Sequence, residues 1–160
     1  MQIRVSPKSF SEWPRLIALV RDSFAYMDSR IDPPSSLKLM GIEEFKAKAA
    51  EETLIIAEDG SSLIGCAFAA LRDDCVYVGK VAVAESARSK GVARALFTAA
   101  EGLARTHGRK VLELQTRIEL VENHATFTAL GFRKVAESAH PGYSRPTSIT
   151  MRKRVAEGAA

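Results

Sequence analysis

The stretch RSKGVARAL, Arg88–Leu96, places two basic residues and a serine before a glycine, and a regular apolar pattern follows. The apolar positions after Gly91 recur every three or four residues, which is the spacing of one helix face. Before the stretch, Val76–Val83 is rich in valine, which favours a strand. The sequence therefore predicts a strand, a loop over Ala84–Lys90 and a long helix that begins at Gly91.

The predicted start of this helix has the features of an anion-binding site. The first backbone N–H groups of a helix lack internal partners and carry partial positive charge. Gly91 and Ala93 keep side-chain bulk away, so that the oxygens of an anion can approach the backbone closely. Basic side chains add charge around the same point: Arg88, Lys90 and Arg94. The alternative is a basic helix start without a ligand, and this stretch alone does not decide between the two.

The remainder of the chain predicts one domain over residues 1–160, with a mixed sheet covered by helices. Strands are predicted at Gln2–Val5, Thr53–Glu58, Leu63–Leu71, Val76–Val83, Val111–Thr116, Phe132–Glu137 and Ser148–Arg154. Further helices are predicted over Phe10–Phe24, Ile42–Ala50 and Val121–Leu130. Serine side chains are expected to cap the first two helices: Ser9 or Ser11, and Ser35 or Ser36.

The bulk composition excludes several classes of protein. With 160 residues, a net charge of +4 and 46% hydrophobic residues, the chain is typical of a soluble globular protein. The basic residues are spread along the chain, which argues against nucleic-acid binding, and no apolar run approaches a membrane span. Cys66 and Cys75 flank a predicted hairpin turn and lie too far apart along it for a disulfide. We expect a cytoplasmic protein with reduced cysteines, no metal, and no nucleic-acid or membrane partner.

Two motifs give the chain a family resemblance. RSKGVA matches the pattern Arg/Gln-x-x-Gly-x-Gly/Ala between a strand and an amphipathic helix, and NHATFTALGF resembles a later motif in which Asn opens a short helix that Gly-Phe closes. Together they resemble the GNAT superfamily of acetyl-CoA-dependent N-acyltransferases. The resemblance implies the GNAT-like α/β fold: a mixed, mostly antiparallel sheet of about seven strands with helices on both faces.

The resemblance also implies how the co-substrate, acetyl-CoA, binds. The pyrophosphate would lie on the loop and the first helical turn, and the pantetheine arm would pair with the edge of Val81–Val83, because this strand splays away from Val111–Thr116. A backbone N–H near Val83 would polarise the thioester carbonyl. The residues expected to contact the co-substrate are Val81, Ala82, Val83, Arg88, Ser89, Lys90, Gly91, Val92, Ala93, Arg94, Asn123 and Phe127.

The chain departs from the family pattern at the catalytic groups. Phe127 stands where many members carry the Tyr that protonates the leaving thiolate, and Asn123 falls about three residues later than is common. Val76–Val83 holds no Asp or Glu, although the family often places a carboxylate in this strand. A lysine-like ammonium is only about one part in a thousand free at pH 7, so a general base matters more than the lost acid.

Several residues are candidates for the missing groups. Glu113 lies mid-strand as a candidate base, with a salt bridge as the alternative. The loop AHPGYSRPT brings together His140 as a proton relay and Tyr143 as a replacement acid. The alternative for this loop is a hairpin turn with ordinary surface groups.

The amine pocket has candidates in two loops. The loop YMDSRIDPPSS contributes Tyr26, Arg30 and Asp32, and a carboxylate at Asp32 would suit an ammonium. Arg145, in the other loop, would bind a substrate carboxylate. The alternative for YMDSRIDPPSS is a structural connection between two helices.

These residues predict an N-acetyltransferase that moves acetyl from acetyl-CoA to a primary amine of a small molecule, amino acid or peptide. The reaction would proceed by direct attack through a tetrahedral intermediate, because neither cysteine lies near the loop as a nucleophile. The alternative is a catalytically silent acyl-CoA-binding module, since Phe127 cannot act as an acid. A homodimer is possible by analogy with similar proteins.

Overall fold

The computed structural model describes residues 1–7 and 9–156, which fold around one seven-stranded sheet. The strands are β1 (Gln2–Val5), β2 (Thr53–Asp59), β3 (Ser62–Leu71), β4 (Val76–Val83), β5 (Val111–Arg117), β6 (Arg133–Ser138) and β7 (Ser148–Arg154). Their order across the sheet is β1-β2-β3-β4-β5-β7-β6. All neighbours are antiparallel except β4 and β5, which are parallel, so the predicted mixed and mostly antiparallel sheet is confirmed.

The four α-helices are α1 (Trp13–Phe24), α2 (Ile42–Glu51), α3 (Val92–Thr106) and α4 (Val121–Ala129). Short 3₁₀ turns lie at Ala25–Met27, Ser36–Leu39 and Glu85–Ala87. The N-cap of α3 is Gly91, as the apolar pattern predicts, and Gly41 separates the turn at Ser36–Leu39 from α2.

The start of the first helix differs from the prediction. The helix begins at Trp13 with Glu12 as its N-cap, and no side chain caps it, so the expected caps Ser9 and Ser11 are wrong. Pro14 accounts for the later start, because its fixed φ and missing N–H suit the first turn of a helix. Phe10 instead packs edge-on against the Trp13 ring, with the ring centroids 4.9 Å apart. The cap on the second segment is confirmed, since Ser35 Oγ accepts from the Leu37 N–H at 3.2 Å.

Helices cover both faces of the sheet, which confirms the predicted architecture. Alternate residues of β2 point to opposite sides: Ile55 and Ala57 join the core under α3, and Leu54 and Ile56 join the core under α1 and α2. The core under α3 is formed largely by Val92, Leu96, Phe97, Ala100 and Ala104 against the strands. The core under α1 and α2 is formed by Leu16, Ile17, Leu19, Val20 and Phe45.

Gly65 sets how closely α3 approaches the sheet. A Cβ built on Gly65 would lie 2.6 Å from Val92 Cγ1, so a side chain here would displace the first turn of the helix. The absence of a side chain lets the helix start rest directly on β3. The N-terminal turn of α3 is therefore fixed relative to the ends of β3 and β4.

The strands β4 and β5 separate soon after they meet. They pair only at Val76 with Leu112 and at Tyr77 with Glu113, and the remaining residues of β4 have no partner in β5. The splay that the family resemblance implies is therefore confirmed. One edge of β4, from Val78 to Val83, faces a gap instead of a neighbouring strand.

The cysteines lie as the hairpin geometry predicts. Cys66 and Cys75 are both buried and free. Cys66 pairs with Ala82, one residue beyond the predicted position, because the register between β3 and β4 shifts there.

We expect the core under α3 to make a large contribution to the free energy of unfolding. Leu96 is fully buried between α3 and the sheet, so Leu96→Ala is expected to lower the free energy of unfolding by about 2–5 kcal/mol through lost burial and a cavity. The matched control is Leu39→Ala, because Leu39 is 85% exposed and its truncation should change stability by less than about 0.5 kcal/mol. Urea unfolding followed by circular dichroism measures both, and equal losses would contradict the placement of the core.

Candidate active site

A cavity of about 1040 Å³ fills the gap between β4 and β5. Its walls are residues 77–81 and 83 of β4, residues 114–117 of β5, the loop and first turn at residues 87–89 and 91–93, and one face of α4. Residues of the segment after α1 and His140 close the far end. The splayed strands, the start of α3 and the candidate polar loops therefore meet in one place.

The loop before α3 lines this cavity and contains two residues with positive φ. Ser89 has φ +64° and Gly91 has φ +79°, and the first helical backbone bond runs from Ala95 N–H to Gly91 C=O at 3.0 Å. The N–H groups of Val92, Ala93 and Arg94 therefore precede the first hydrogen bond of the helix. A Cβ on Gly91 would meet nothing within 4 Å, so the space above the helix start is open to a ligand. These features fit a bound diphosphate.

The free edge of β4 presents backbone donors to the cavity. The Ala84 N–H donates to the Ile64 C=O of β3 at 2.8 Å. Along an antiparallel strand, successive residues direct their backbone N–H and C=O groups alternately toward and away from the neighbour, so the N–H of Val83 faces away from β3. Lys80 and Val81 stand opposite Ala67 alone, because the pairing passes from Phe68 with Gly79 to Cys66 with Ala82. Lys80 has φ +50° in this bulge, which bends the strand where the cavity opens. The edge can therefore accept an extended chain as an added strand.

The helix α4 contributes Asn123 and Phe127 to the wall, as expected for the second motif. Asn123 Oδ1 accepts a hydrogen bond from the Tyr26 hydroxyl at 3.1 Å. Phe127 packs edge-on against Phe97 and Phe132, at centroid distances of 6.0 and 6.2 Å. Phe127 thus anchors α4 to the core and presents one apolar side to the cavity.

His140 lies in the wall of the cavity and is held through Thr147. The His140 backbone N–H donates to Thr147 Oγ1 at 2.9 Å, and Nδ1 of the ring lies within hydrogen-bond distance of the same oxygen. With the Thr147 hydroxyl donating to the Ser138 carbonyl, 3.4 Å away, its oxygen would accept from Nδ1–H, and that tautomer leaves the Nε2 lone pair unprotonated. Partial burial and the positive charge of Arg117 lower the pKa of His140 below its ordinary 6.5.

Tyr143 and Arg145 both contact Asp32 and lie outside the cavity lining. The Tyr143 hydroxyl donates to Asp32 Oδ1 at 2.5 Å, and Arg145 Nη2 lies 3.2 Å from Asp32 Oδ2. The hydrogen bond to Asp32 raises the pKa of the Tyr143 phenol. Asp32 and Arg145 therefore neutralise each other, and Arg30 is likewise taken up in an ion pair with Glu122. Of the four predicted substrate residues, only Tyr26 lines the cavity.

Glu113 lies at the closed end of the splayed strands and outside the cavity lining. Its carboxylate accepts hydrogen bonds from Arg72 at 3.1 Å and from Arg152 at 2.8 Å. Arg152 also lies 3.2 Å from Asp74. This arrangement favours the salt-bridge alternative, because both carboxylate oxygens are occupied by guanidinium groups.

The cavity also holds cations that sequence reasoning missed. Lys48, Lys80 and Arg117 line it, and they come from α2, from β4 and from the end of β5. Burial lowers the pKa of Lys80, as do the charges of Lys48 and Arg117. The available signal was a lysine inside the predicted strand Val76–Val83, where a charged side chain requires an explanation.

Two kinds of feature are absent from the described residues. Among residues 1–7 and 9–156, no three His, Cys, Asp or Glu side chains cluster in a way that could hold a metal ion. Within the same ranges, none of the helices has the length and apolar character to cross a bilayer.

Solved structures with the same fold come from several bacteria and an archaeon. The PaiA N-acetyltransferase from Thermoplasma acidophilum, in complex with coenzyme A, matches with a TM-score of 0.76 and 15% identity, covering 96% of this chain and 99% of that one. An aminoglycoside 6'-N-acetyltransferase complexed with coenzyme A matches with a TM-score of 0.74 and 15% identity over 100% of both chains. An IAA acetyltransferase from Bacillus cereus ATCC 14579 matches with a TM-score of 0.66 and 20% identity, covering 96% and 98%. Among curated protein sequences, none matches the chain.

The sequence itself identifies the family. The model of the acetyltransferase (GNAT) family matches residues 13–132, which run from the start of α1 through α4 and include the loop, the free strand edge and most of the cavity wall. The chain belongs to the acetyltransferase (GNAT) family and is an acyltransferase.

Proposed function

We propose that this enzyme transfers acetyl from acetyl-CoA to a primary amine by direct attack of the amine. The observation that carries the proposal is the continuous cavity, which runs from the N-terminal turn of α3 along the unpaired edge of β4 to His140. One end of it suits a diphosphate, the middle suits an extended chain, and the far end holds a titratable base.

Backbone N–H groups and basic side chains form the end of the cavity that we propose for coenzyme A. The N–H groups of Ser89 to Arg94 would bind the diphosphate beside the open space at Gly91, and exposed Arg88, Lys90 and Arg94 would add positive charge there. Val81, Ala82 and Val83 would pair with the pantetheine arm, and Asn123 and Phe127 would flank it from α4. The co-substrate supplies an activated acetyl thioester, and these residues hold it along the strand edge.

The chain supplies two functions to the acyl transfer. The backbone N–H near Val83 stabilises the negative charge that develops on the thioester oxygen during attack. His140 Nε2 accepts the proton that the attacking nitrogen loses as the C–N bond forms and the C–S bond breaks. A thiolate of pKa about 8.5 leaves readily near neutral pH, so the reaction does not depend on an acid at Phe127 or on Tyr143.

The proposed diphosphate site is tested at Gly91. Gly91→Leu is expected to weaken coenzyme A binding by tenfold or more, because a side chain would fill the open space above the helix start. Gly108→Leu is the matched control, since Gly108 has a similar φ of +70° and also no neighbour within 4 Å of a built Cβ. Both variants should lose about 1–2 kcal/mol of stability from backbone strain. Calorimetric titration with coenzyme A measures the difference, and equal affinity in the two variants would refute the site.

The proposed base is tested at His140. His140→Asn keeps a polar group near Thr147 but removes Nε2, and we expect kcat/KM to fall by about 10²–10⁴. In the unsubstituted enzyme, activity should be present above the pKa of His140, which lies below 6.5, and should decline as the pH falls through it. His107→Asn is the control, because His107 is exposed at the end of α3. A low-pH decline that persists in His140→Asn would assign the base to another group.

Glu113 is tested by a separation of stability from activity. Glu113→Gln should lower the free energy of unfolding by about 1–2 kcal/mol, discounted because the guanidinium partners are partly exposed. Since Glu113 lies outside the cavity, kcat/KM of the folded variant should stay within about twofold. Thermal unfolding and steady-state thiol release measure the two effects. A loss of kcat/KM above tenfold in a folded variant would restore Glu113 as a base candidate.

A further inference from the structure

We infer that the acceptor amine carries an anionic group, a carboxylate or a phosphate, which Lys80 and Arg117 bind with the help of Lys48. The inference deepens the proposed function and rests on it, because it concerns the acceptor end of the same cavity. Its support is the set of cations that line that end, two of which, Lys80 and Arg117, form no ion pair with the described residues.

The three cations converge on one part of the cavity. Lys80 projects from the bulge of β4, Arg117 ends β5, and Lys48 lies on α2, so the gap between the splayed strands is flanked by positive charge. Their proximity is consistent with the lowered pKa of Lys80. Burial disfavours the charged ammonium of Lys80, and so do the nearby positive charges of Lys48 and Arg117. These cations are separate from Arg88, Lys90 and Arg94, which surround the start of α3.

Nearby carboxylates neutralise this charge only in part. Glu52 binds Lys48 at 2.7 Å, and Glu122, the acidic residue in the cavity lining, is bound by Arg30. Glu119 attracts Arg117 through space; its Oε2 accepts the Asp32 N–H at 3.1 Å, and its Oε1 is buried without a hydrogen-bond partner among the described residues. Within residues 1–7 and 9–156, neither Lys80 nor Arg117 forms an ion pair within 4.0 Å.

Arg117 has a donor with no partner. Its Nη2 donates to the Pro34 carbonyl at 3.3 Å, while Nη1 is buried and makes no hydrogen bond with the described residues. Nη1 is closed off from solvent, so contact with a ligand is left to the accessible part of the guanidinium. A guanidinium binds carboxylate and phosphate oxygens with matching geometry. Because Arg117 lines the cavity together with Lys80, an anion is the ligand that suits this wall.

The same positive charges also affect the protonation state of the acceptor amine. Positive charge beside an ammonium favours its neutral form, which is the nucleophile, but it also repels the protonated acceptor. An anionic group on the acceptor restores binding while the cations still lower the pKa of the nearby amine. Lys80 and Arg117 would thus select a substrate and prepare it for proton loss to His140.

The test compares matched acceptors that differ in one anionic group: β-alanine with β-alaninamide, and phosphoethanolamine with ethanolamine. For the unsubstituted enzyme we expect kcat/KM to be at least about tenfold higher for the anionic member of one or both pairs. Lys80→Met and Arg117→Met should reduce that ratio to about one to three, and Lys80→Arg should keep most of it. Lys46→Met is the control, because Lys46 is an exposed lysine on the same helix as Lys48.

The outcomes separate this inference from the proposed function. A larger ratio in the first pair assigns a carboxylate, and a larger ratio in the second assigns a phosphate. Equal turnover within both pairs, or a preference that survives both Met substitutions in variants with unchanged thermal unfolding, would overturn the inference and leave amine acetylation standing. Coenzyme A binding without turnover of any of the four acceptors would contradict amine acetylation and, with it, the inference.

Discussion

The separation of β4 from β5 after two residue pairs is the constraint on which the site depends. A sheet normally satisfies both edges of an inner strand with neighbouring strands, and here the second edge of β4 is left open inside the molecule. The two strands pair at their beginning, where Glu113 of β5 stands opposite Tyr77 of β4 and its carboxylate binds Arg72 and Arg152. Beyond that point β4 faces a cavity instead of a strand, and its unpaired backbone donors and acceptors form part of the cavity wall.

Local backbone geometry turns this opening into a site with two chemically different ends. The loop before α3, with positive φ at Ser89 and Gly91, lines one part of the cavity, and the bulge at Lys80 bends β4 along another. Gly65 allows α3 to rest on β3, which fixes the height of its first turn above the sheet. The rigid parts of the fold thus hold the helix start and the strand edge in a fixed relation, while loops supply the acceptor end.

Local patterns in the sequence account for most of the fold and for one end of the site. Val76–Val83 and Ser148–Arg154 coincide with the observed strands, since valine-rich and alternating runs between turn residues are strong signals. The predicted cap at Ser9 or Ser11 was wrong, because the helix begins later, at Trp13, with Pro14 in its first turn. The predicted partner of Cys66 was wrong by one residue, because a β-bulge cannot be recognised from the periodicity of the sequence. The cations of the cavity, Lys48, Lys80 and Arg117, were not predicted as a group, because they come from elements far apart in the chain.

The contact of Tyr143 and Arg145 with Asp32 ties together two loops that are more than a hundred positions apart in sequence. Both loops border the acceptor end, one following α1 and the other between β6 and β7. A change in either loop that alters Asp32 or its partners leaves an unbalanced charge in the other. Replacing one of these loops without the other would therefore break the contact between them and disturb the cavity wall beside it.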